Sequence, residues 1–358
     1  MKRVLIVNTI GMGYEGISSV IVNYLSHICS SDIQFDIIAY NHTPLEFKNK
    51  LENYGNVYII PKKKINLKGY LNGLKDIIKK NKYDVIHVHG NSGMMLMEAL
   101  LAKRYKIPKI IIHCHNTTCD HKILNAFLKF PMKVLATDLI ACSVQSGKWL
   151  YGHSKYEVLN NAINYEMFKF NEQIRKKVRE ELNIKDKFAL GHIGSFIEQK
   201  NHDFLIDIFY EFQKEHSDCV LLLVSDGPKF KDIKDKVKNL NIEDKVIFAG
   251  RNENVNIFYQ VMDVYLMPSK WEGLPLVMIE AQACSLPVIA SDTITNDAKC
   301  TSNVTYLPIN NGIKCWLEVL ERMYTKKINR NEDMYDEIKR HGFDINTEAD
   351  KLRDIYID

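Results

Sequence analysis

The chain has 358 residues, of which 46% are hydrophobic and 26% charged, and its formal net charge is +4. This length suits two domains of ordinary size, and the composition is typical of a folded globular protein without low-complexity tracts. The apolar runs are too short or too interrupted for a membrane span, and the start MKRVLIVNTIGMG lacks the features of a signal peptide, so a cytoplasmic protein is expected.

Charge is distributed unevenly between the two halves of the chain. Residues 1–165 contain 21 Lys and Arg against 11 Asp and Glu, a net charge of +10, whereas the remainder carries 27 against 33, a net charge of −6. A basic amino-terminal half suggests an anionic partner, such as a membrane surface, a lipid diphosphate or nucleic acid. The alternative is a solvated lysine-rich surface without such a partner.

Short runs rich in Val, Ile and Leu alternate with helix-length segments along the chain. In the first half they predict strands at 3–8, 35–40, 57–60, 84–89, 109–115 and 138–143. In the second half they predict strands at 188–195, 219–225, 245–250, 263–268, 286–291 and 304–308. Near-continuous apolar strands separated by helices indicate parallel sheets buried on both faces. The pattern therefore predicts two doubly wound, Rossmann-like α/β domains.

The domain boundary is expected in the polar stretch 161–187. We predict an amino-terminal domain at 1–165, a carboxy-terminal domain at 166–337, and a last helix at about 338–358 that packs back on the first domain. Because ligands of such folds bind at the carboxyl ends of the strands, a cleft between the domains is the expected site.

Three glycines follow the first predicted strand with the spacing G-x-G-x-x-G: Gly11, Gly13 and Gly16. This spacing lets backbone approach a pyrophosphate and keeps a nicotinamide-dependent dehydrogenase as an alternative. The acid expected at the end of the second strand is missing, since Asp36 lies near its start and Tyr40 and Asn41 close it.

Two H-x-H pairs end consecutive predicted strands: His87 with His89, and His113 with His115. Period-2 alternation turns the members of each pair toward one face of the sheet. Three interpretations are open: a metal site, a polar lining in which one histidine donates a hydrogen bond to a ligand, and structural histidines. Neither a carboxylate pair nor a cysteine cluster accompanies the histidines, so no metal is expected.

In the second half of the chain, two loops that follow predicted strands contain polar residues. GSFIEQKNH places Lys200 and Asn201 where a loop meets a helix amino terminus, a position from which a lysine neutralises a diphosphate. SDGP places Asp226 and Gly227 in a tight turn after the next strand. No Asp-x-Asp occurs in the sequence, so a metal-bridged diphosphate lacks its usual ligands.

The segment WEGLPLVMIEAQACSLPVIAS at 271–291 sets Glu272 and Glu280 around a turn that contains Gly273 and Pro275. If a helix begins near Pro275, the two carboxylates are separated by roughly 12 Å, farther than either glycosidase arrangement allows. The segment predicts two points that hold hydroxyl groups of one long ligand, beside helix N–H groups suited to phosphate. The alternative is an ordinary buried helix with one capping acid.

The co-linear segments GHIGSFIEQKNHDFL, LLLVSDGP, VIFAGRNENV and PSKWEGLPLVMIEAQACSLPVIASDTIT resemble the retaining glycosyltransferases of family four, which have the GT-B fold. In the first half, HCHNT and ACSVQSGKWLYG resemble the bacterial branch that builds capsule and exopolysaccharide. The resemblance covers nearly the whole chain, and the spacing E-x7-E of Glu272 and Glu280 is its most specific element.

The resemblance implies a role for each matching residue of the second half. Glu272, with the backbone of Gly273 and Leu274, would hold the donor sugar and its phosphate, and Glu280 would accept hydrogen bonds from the ribose. Lys200 would neutralise the leaving diphosphate. The donor-binding set is Ser195, Lys200, Asp226, Gly227, Arg251, Asn252, Glu272, Gly273, Leu274, Pro275 and Glu280, in which Arg251 and Asn252 would lodge the base.

In the first half the resemblance places Gly16 in the loop that faces the diphosphate and His115 near the reacting face of the sugar. His115, Glu272 and Lys200 are therefore the candidate catalytic residues. Three positions depart from the family pattern: Glu15 replaces a glycine, Ser195 replaces an arginine, and Ser225 replaces a glycine. The first two departures weaken diphosphate binding on electrostatic grounds.

These observations predict a metal-independent glycosyltransferase that moves a hexose or N-acetylhexosamine from a nucleoside-diphosphate sugar, UDP-linked by preference, to a polyprenyl-diphosphate-linked saccharide. The alternatives are a binding or assembly subunit that has lost turnover and a UDP-sugar isomerase on the same scaffold. Nucleic acid is not expected as a partner. Peripheral contact with an anionic membrane is expected through Lys62, Lys63 and Lys64 and through the amphipathic segment that holds Lys122, Lys129 and Lys133.

Overall fold

The computed structural model describes residues 1–13, 16–28, 31–252, 254–326 and 329–358. The chain folds as two units: Met1–Ala162 together with Ile345–Asp358, and Ile163–Asp344. The sequence placed these boundaries at 165/166 and at about 337/338. Glu15, one of the departures from the family pattern, lies outside the described residues.

The first unit is built on a seven-stranded parallel sheet with the strand order β3-β2-β1-β4-β5-β6-β7. The strands are β1 (Lys2–Asn8), β2 (Ile33–Tyr40), β3 (Gly55–Ile60), β4 (Val85–Gly90), β5 (Lys109–Cys114), β6 (Asp138–Ala141) and β7 (Glu157–Val158). The helices are α1 (Gly16–His27), α2 (Leu45–Glu52), α3 (Leu67–Lys80), α4 (Leu96–Arg104), α5 (Lys122–Leu135) and α6 (Val144–Tyr151).

The second unit has a six-stranded parallel sheet with the order β10-β9-β8-β11-β12-β13. The strands are β8 (Phe188–Ile193), β9 (Cys219–Val224), β10 (Val246–Gly250), β11 (Val264–Met267), β12 (Val288–Ser291) and β13 (Val304–Leu307). The helices are α7 (Tyr165–Phe168), α8 (Glu172–Glu181), α9 (His202–Glu215), α10 (Phe230–Asn239), α11 (Asn256–Val261), α12 (Leu276–Ala283), α13 (Lys314–Thr325) and α14 (Tyr335–Arg340).

Both sheets are largely apolar and buried on both faces, since helices cover each side. In β9 all six residues of CVLLLV are buried, and the same holds for the four residues of β11. In each unit the strand order reverses beside the first strand of the sheet, β1 or β8, which is the topology of a doubly wound fold. The predicted fold class is confirmed, and the twelve predicted strands correspond to β1–β6 and β8–β13.

The last helix, α15 (Ile345–Ile357), belongs to the first unit, where it contacts α1 and β1. Glu348 of this helix is buried and accepts a hydrogen bond from the Asn160 backbone N–H at 3.0 Å. Tyr356 is also buried, and its hydroxyl lies 2.6 Å from His87 Nδ1. The last helix of the chain therefore completes the core of the first unit.

Two polar residues of the first unit have structural roles. Asp36 is buried in the middle of β2, where it accepts hydrogen bonds from Arg3, Tyr83 and Asn56. Lys63 is buried as well, with Nζ 2.8 Å from Glu98 Oε1, so the prediction that Lys63 faces a membrane is wrong. Burying this lysine is tolerated because its charge is paired.

No helix within the described ranges is both long and apolar enough to cross a bilayer.

Candidate functional site

Two loops of the second unit are joined by hydrogen bonds at the carboxyl ends of β8 and β11. The first loop contains a 3-10 turn at Glu198–Lys200 and then Asn201, whose backbone is left-handed with φ 56°. Asn201 Nδ2 donates to the Pro268 carbonyl at 3.1 Å, and the Lys270 N–H donates to the Gln199 carbonyl at 2.8 Å. The left-handed residue turns the chain into α9 and leaves the Lys200 side chain beside the second loop.

Lys200 and Glu272 form an ion pair across these two loops. Lys200 Nζ lies 2.7 Å from Glu272 Oε1, and the side chains are only 14% and 8% exposed. Gln199 Nε2 donates to Glu272 Oε2 at 3.0 Å and to the Trp271 carbonyl at 2.9 Å. Both oxygens of the Glu272 carboxylate are therefore held, which fixes its orientation before any ligand arrives.

The amino terminus of α12 directly follows Glu272. Pro275 occupies the N-cap position of this helix, and its side chain makes no hydrogen bond to the first turn. The N–H groups of the first turn are therefore not satisfied by an N-cap side chain. Gly273 is exposed, and Leu274 is partly exposed, in the turn before the helix. Backbone N–H groups at a helix amino terminus suit a phosphate or the hydroxyls of a sugar.

Glu280 lies on the second turn of α12, as the sequence predicted. Its Oε2 accepts a hydrogen bond from the Tyr259 hydroxyl at 2.7 Å. Desolvation raises the pKa of Glu280 to about 7, although the hydrogen bond from Tyr259 acts in the opposite direction. A carboxyl group of this kind changes its charge near neutral pH and can accept hydrogen bonds from two neighbouring hydroxyls.

The turn after β9 brings Asp226 and Gly227 against the loop after β8. The Phe196 N–H donates to the Asp226 carbonyl at 3.2 Å. A Cβ atom at Gly227 would lie 2.6 Å from the Phe196 nitrogen, so only glycine fits this close approach. Ser225, which precedes them, has φ 132°, a backbone region that favours glycine.

Three other predicted residues of the second unit lie on its surface at strand ends. Ser195 is exposed directly after β8, and Arg251 and Asn252 are exposed after β10. The Ser225 N–H donates to the Gly250 carbonyl at 2.9 Å, which places the turn after β9 beside the turn that leads into Arg251. These loops share the carboxyl edge of the sheet with Lys200 and Glu272.

Gly16 and His115 belong to the first unit. Gly16 is the exposed first residue of α1, and, apart from its chain neighbours and its own helix backbone, no described atom lies within 4 Å of the place where its Cβ would be. The preceding turn is held by Ser18, whose hydroxyl accepts a hydrogen bond from the Gly13 N–H at 3.2 Å. The described part of this loop, up to Gly13, is thus bonded to the first turn of α1.

The four histidines of β4, β5 and the residue after β5 form a stack of rings. His89 Nδ1 and His115 Nε2 share a hydrogen bond at 2.9 Å, and His87 Nε2 and His113 Nδ1 share one at 3.2 Å. Desolvation lowers the pKa of His115 to about 3 and holds the pKa of the other three well below the ordinary value. The rings are therefore neutral at pH 7.

Some ring nitrogens of this stack have no protein partner. His113 Nε2 and His115 Nδ1 are buried without a hydrogen bond to any described atom. His87, His89 and His113 also offer nitrogen atoms within 4.8 Å of one another, a spacing that could hold a metal ion. Two of these residues already use ring nitrogens to bond each other, and His87 bonds Tyr356 as well.

Two residues of the site were not identified from the sequence. Gln199 orients Glu272, and Tyr259 orients Glu280. Gln199 lies next to Lys200 in the sequence, but Tyr259 lies on α11, 21 residues before its partner. No motif or spacing in the sequence marks either residue, because each contact depends on how separate elements pack.

Two family models match the chain. The model described as glycosyl transferases group 1 matches residues 174–339, and the model described as glycosyl transferase 4-like matches residues 18–142. The first match contains the loops of Lys200, Asp226, Arg251 and Glu272. The second contains the histidine stack.

Several curated relatives span most of the chain. One is EpsF of Bacillus subtilis strain 168, provisionally named as a glycosyltransferase, which is 29% identical over 373 residues and is matched over 99% of this chain and 96% of its own length. Another is the UDP-Gal:α-D-GlcNAc-diphosphoundecaprenol α-1,3-galactosyltransferase of Escherichia coli, 26% identical over 80% of this chain and 78% of its own length.

Among solved structures, HepE of Anabaena in complex with UDP and glucose has a similar fold. Its TM-score is 0.78 at 16% identity, with 99% of both chains covered. At this identity the likeness concerns the fold alone, and the fold is GT-B.

Proposed function

We propose that this chain, a glycosyltransferase of the GT-B type, transfers a hexose or N-acetylhexosamine from a UDP-sugar to a lipid-linked saccharide, with retention of anomeric configuration. The observation that carries the proposal is the Lys200–Glu272 pair beside the amino terminus of α12. This arrangement places three kinds of group at one edge of the sheet. They are a cation suited to a diphosphate, a carboxylate suited to sugar hydroxyls, and the N–H groups of a helix amino terminus.

In this proposal each side chain contributes positioning or charge stabilisation. Lys200 neutralises the diphosphate as it leaves, and Glu272, with the N–H groups of Gly273 and Leu274, holds the sugar. Glu280 accepts hydrogen bonds from the ribose. The protein supplies no covalent nucleophile, so rate enhancement comes from orientation and leaving-group stabilisation.

The remaining predicted residues complete the donor site. Arg251 and Asn252 hold the base from the loop after β10, and Asp226 and Gly227 shape the neighbouring turn. In the first unit Gly16 faces the diphosphate with helix N–H groups. His115 is neutral, and we assign it a hydrogen bond near the reacting face of the sugar.

The acceptor and the setting of the reaction are also part of the proposal. A lipid-linked acceptor is supported by the galactosyltransferase of Escherichia coli, whose name gives a GlcNAc-diphosphoundecaprenol acceptor. The similarity to EpsF supports a role in polysaccharide biosynthesis, and we propose capsule or exopolysaccharide as the product class. The enzyme would then work as a peripheral protein at the cytoplasmic face of an anionic membrane.

The proposal is tested by offering the purified chain a panel of nucleotide sugars together with polyprenyl-diphosphate-linked saccharides. Transfer from one UDP-sugar, detected by mass spectrometry, is expected, and NMR of the product should show the anomeric configuration of the donor. Dialysis against EDTA should leave the rate unchanged, because the site supplies its own cation. Absence of UDP release with every donor would contradict the proposal and favour a binding subunit.

A further inference from the structure

Arg330 is a buried arginine of the second unit whose hydrogen bonds go to backbone carbonyls. It follows α13 and precedes α14, and it is only 5% exposed. Nη1 donates to the carbonyls of Gln260 and Met262 at 3.0 and 2.7 Å. Nη2 donates to the carbonyls of Tyr259 and Cys284, both at 2.9 Å. One planar group therefore holds four carbonyls at once.

These four carbonyls lie at the carboxyl ends of two helices. Three of them belong to the last turn of α11 and to its C-cap, and the fourth belongs to Cys284, the C-cap of α12. The last carbonyls of a helix have no partner within it, and their partial negative charge favours a cation. Desolvation lowers the pKa of Arg330 to about 10, so the guanidinium stays charged at neutral pH. Arg330 thus fastens α11 to α12.

Two further contacts fix the guanidinium and the segment that carries it. The central carbon of the guanidinium lies 4.3 Å from the centre of the Phe170 ring. Two residues after Arg330, the Glu332 carbonyl accepts a hydrogen bond from Ser285 Oγ at 2.6 Å, directly beyond the end of α12. A planar group that stacks on a ring and donates from its edge has one defined orientation.

The two helices that Arg330 joins also carry the carboxyl group assigned to the ribose. Tyr259 of α11 is fully buried, and its hydroxyl donates to Glu280 Oε2 of α12 at 2.7 Å. The carbonyl of the same tyrosine accepts a hydrogen bond from Arg330. Arg330 therefore reaches Glu280 through Tyr259, because any shift of α11 against α12 changes the length of the contact between the hydroxyl and the carboxylate.

A second arginine shows which part of this arrangement belongs to Arg330. Arg175 of α8 donates from Nη1 to two of the same carbonyls, those of Gln260 and Met262, at 2.9 and 3.0 Å. None of the hydrogen bonds described for Arg175 goes to Tyr259 or to α12. These two carbonyls of α11 would thus keep a cationic partner without Arg330. What Arg330 adds is the link from Tyr259 to α12.

We propose that Arg330 is a positioning residue of the nucleotide site, which locks α11 against α12 and, through Tyr259, aims the Glu280 carboxylate at the ribose. The inference rests on the proposed ribose role of Glu280 and adds a residue that acts on it from behind the site. Lysine cannot replace the arginine, because an ammonium group donates from a single point and lacks the planar fork that spans two helix ends.

The variant Arg330→Lys keeps the charge and removes the fork. Calorimetry should show an affinity for UDP lowered roughly three- to tenfold, because the ribose acceptor loses its orientation. The pH midpoint of UDP binding should rise, since the contact with Tyr259 lowers the pKa of Glu280. Arg175→Lys is the matched control at the same helix end and should change the affinity less than about twofold. Equal losses of affinity in the two variants would show simple capping of α11 and refute the inference.

A double variant separates positioning from general loss of stability. Tyr259→Phe removes the contact through which Arg330 is proposed to act. In that background Arg330→Lys should lower the affinity for UDP by less than about 1.5-fold further, although it should lower the urea midpoint as it does in the wild-type background. A loss of affinity as large in the Tyr259→Phe background as in the wild type would contradict the proposed route through Tyr259.

A measurement without nucleotide keeps this inference separate from the proposed function. NMR of ¹³C-labelled glutamate carboxyl groups should place the titration midpoint of Glu280 at higher pH in Arg330→Lys than in the wild type, and an unchanged midpoint would overturn the inference. If Glu280→Gln binds UDP as tightly as the wild type, the ribose assignment fails, and the NMR comparison still decides whether Arg330 acts on Glu280.

A milder variant covers the case in which Arg330→Lys does not fold. Phe170→Leu removes the ring on which the guanidinium stacks and leaves its hydrogen bonds in place. The midpoint of Glu280 should then move in the same direction by a smaller amount, since the guanidinium is loosened and not lost. An unchanged midpoint in Phe170→Leu would refute the inference in that case.

Discussion

Lys200 and Glu272 hold each other across two loops, with Nζ 2.7 Å from Oε1 and both side chains largely buried. In this arrangement a diphosphate that approaches Lys200 meets an ammonium group already bonded to a carboxylate. Because Gln199 also holds Glu272, the carboxylate stays in place when the ammonium turns toward the new anion. The pair is therefore a preformed element, and in the proposed function its cation would be shared between Glu272 and the donor.

Removal of the cation should affect catalysis more than folding. We expect Lys200→Met to lower the transfer rate roughly ten- to hundredfold, because a charged hydrogen bond to the leaving diphosphate is lost. Lys270→Met is the matched control, since Lys270 lies in the facing loop, is 37% exposed and pairs with Glu198 instead. Steady-state transfer assays compare the two variants, and equal rates for both would contradict the role of Lys200.

The two carboxylates should be separable by binding and turnover. Glu272→Gln should reduce sugar transfer and leave the affinity for UDP largely intact, because this group is assigned to the sugar. Glu280→Gln should weaken UDP binding, because it removes the charge that accepts the ribose hydrogen bonds. Calorimetric titration with UDP measures both effects. Equal affinity for UDP in the wild type and in Glu280→Gln would exclude the ribose assignment.

The pKa of Glu280, raised to about 7 by desolvation, gives the binding of UDP a pH dependence. Between pH 6 and pH 8 the carboxyl loses its proton and becomes a stronger acceptor, so affinity should rise by several fold. The glutamine of Glu280→Gln has no carboxyl group to titrate. The change of UDP affinity with pH that remains in this variant therefore comes from the nucleotide. Tyr259→Phe removes a hydrogen bond that lowers this pKa, so its midpoint should move to higher pH. Titrations at four pH values check all three proteins.

The sequence located the strands and singled out most of the candidate site residues, but it did not pair them. Apolar runs located β1–β6 and β8–β13, whereas the two residues of β7 are too few for a periodic signal. Lys200 and Glu272 were each singled out by their loops, yet their contact joins residues 72 positions apart. Gln199 and Tyr259 were missed for the same reason, because their roles arise only when loops and helices meet.

The placement of charge illustrates a second limit of sequence reasoning. Lys63 and its neighbours form a basic run, which favoured a membrane-facing patch. In the structure Lys63 is inside the unit, where Glu98 and the Met94 carbonyl accept its hydrogen bonds. Burial of a lysine depends on a partner 35 residues away, which a local count of charges does not reveal.

The backbone conformation of Ser225 should lower the stability of the protein, although it positions the neighbouring turn. Its φ of 132° favours glycine, so Ser225→Gly should stabilise the protein by about 1 kcal/mol after the added chain entropy of glycine is included. Ser217→Gly, at an exposed position after α9, is the control and should be slightly destabilising. Gly227→Ala should cost about 1–3 kcal/mol, since its Cβ would collide with the Phe196 backbone. Urea unfolding measures these differences.

The buried histidines should make the protein sensitive to mild acid. Burial lowers the pKa of His115 to about 3 and of His202 to about 4, and it lowers the pKa of His87 and His113 well below the ordinary value. A group whose pKa is lower in the folded state stabilises folding fully above its unfolded pKa of about 6.5 and loses that contribution as the pH falls.

When the pH falls from 7 to 5.5, each such histidine should therefore lower the free energy of unfolding by on the order of 1 kcal/mol. Glu280 acts in the opposite direction in this window, because its raised pKa favours the folded state at low pH. Urea midpoints at pH 7.5, 6.5 and 5.5 should fall together with the pH. NMR of the imidazole protons provides the direct check, and a ring of the stack that titrates near pH 6.5 in the folded protein would contradict this explanation.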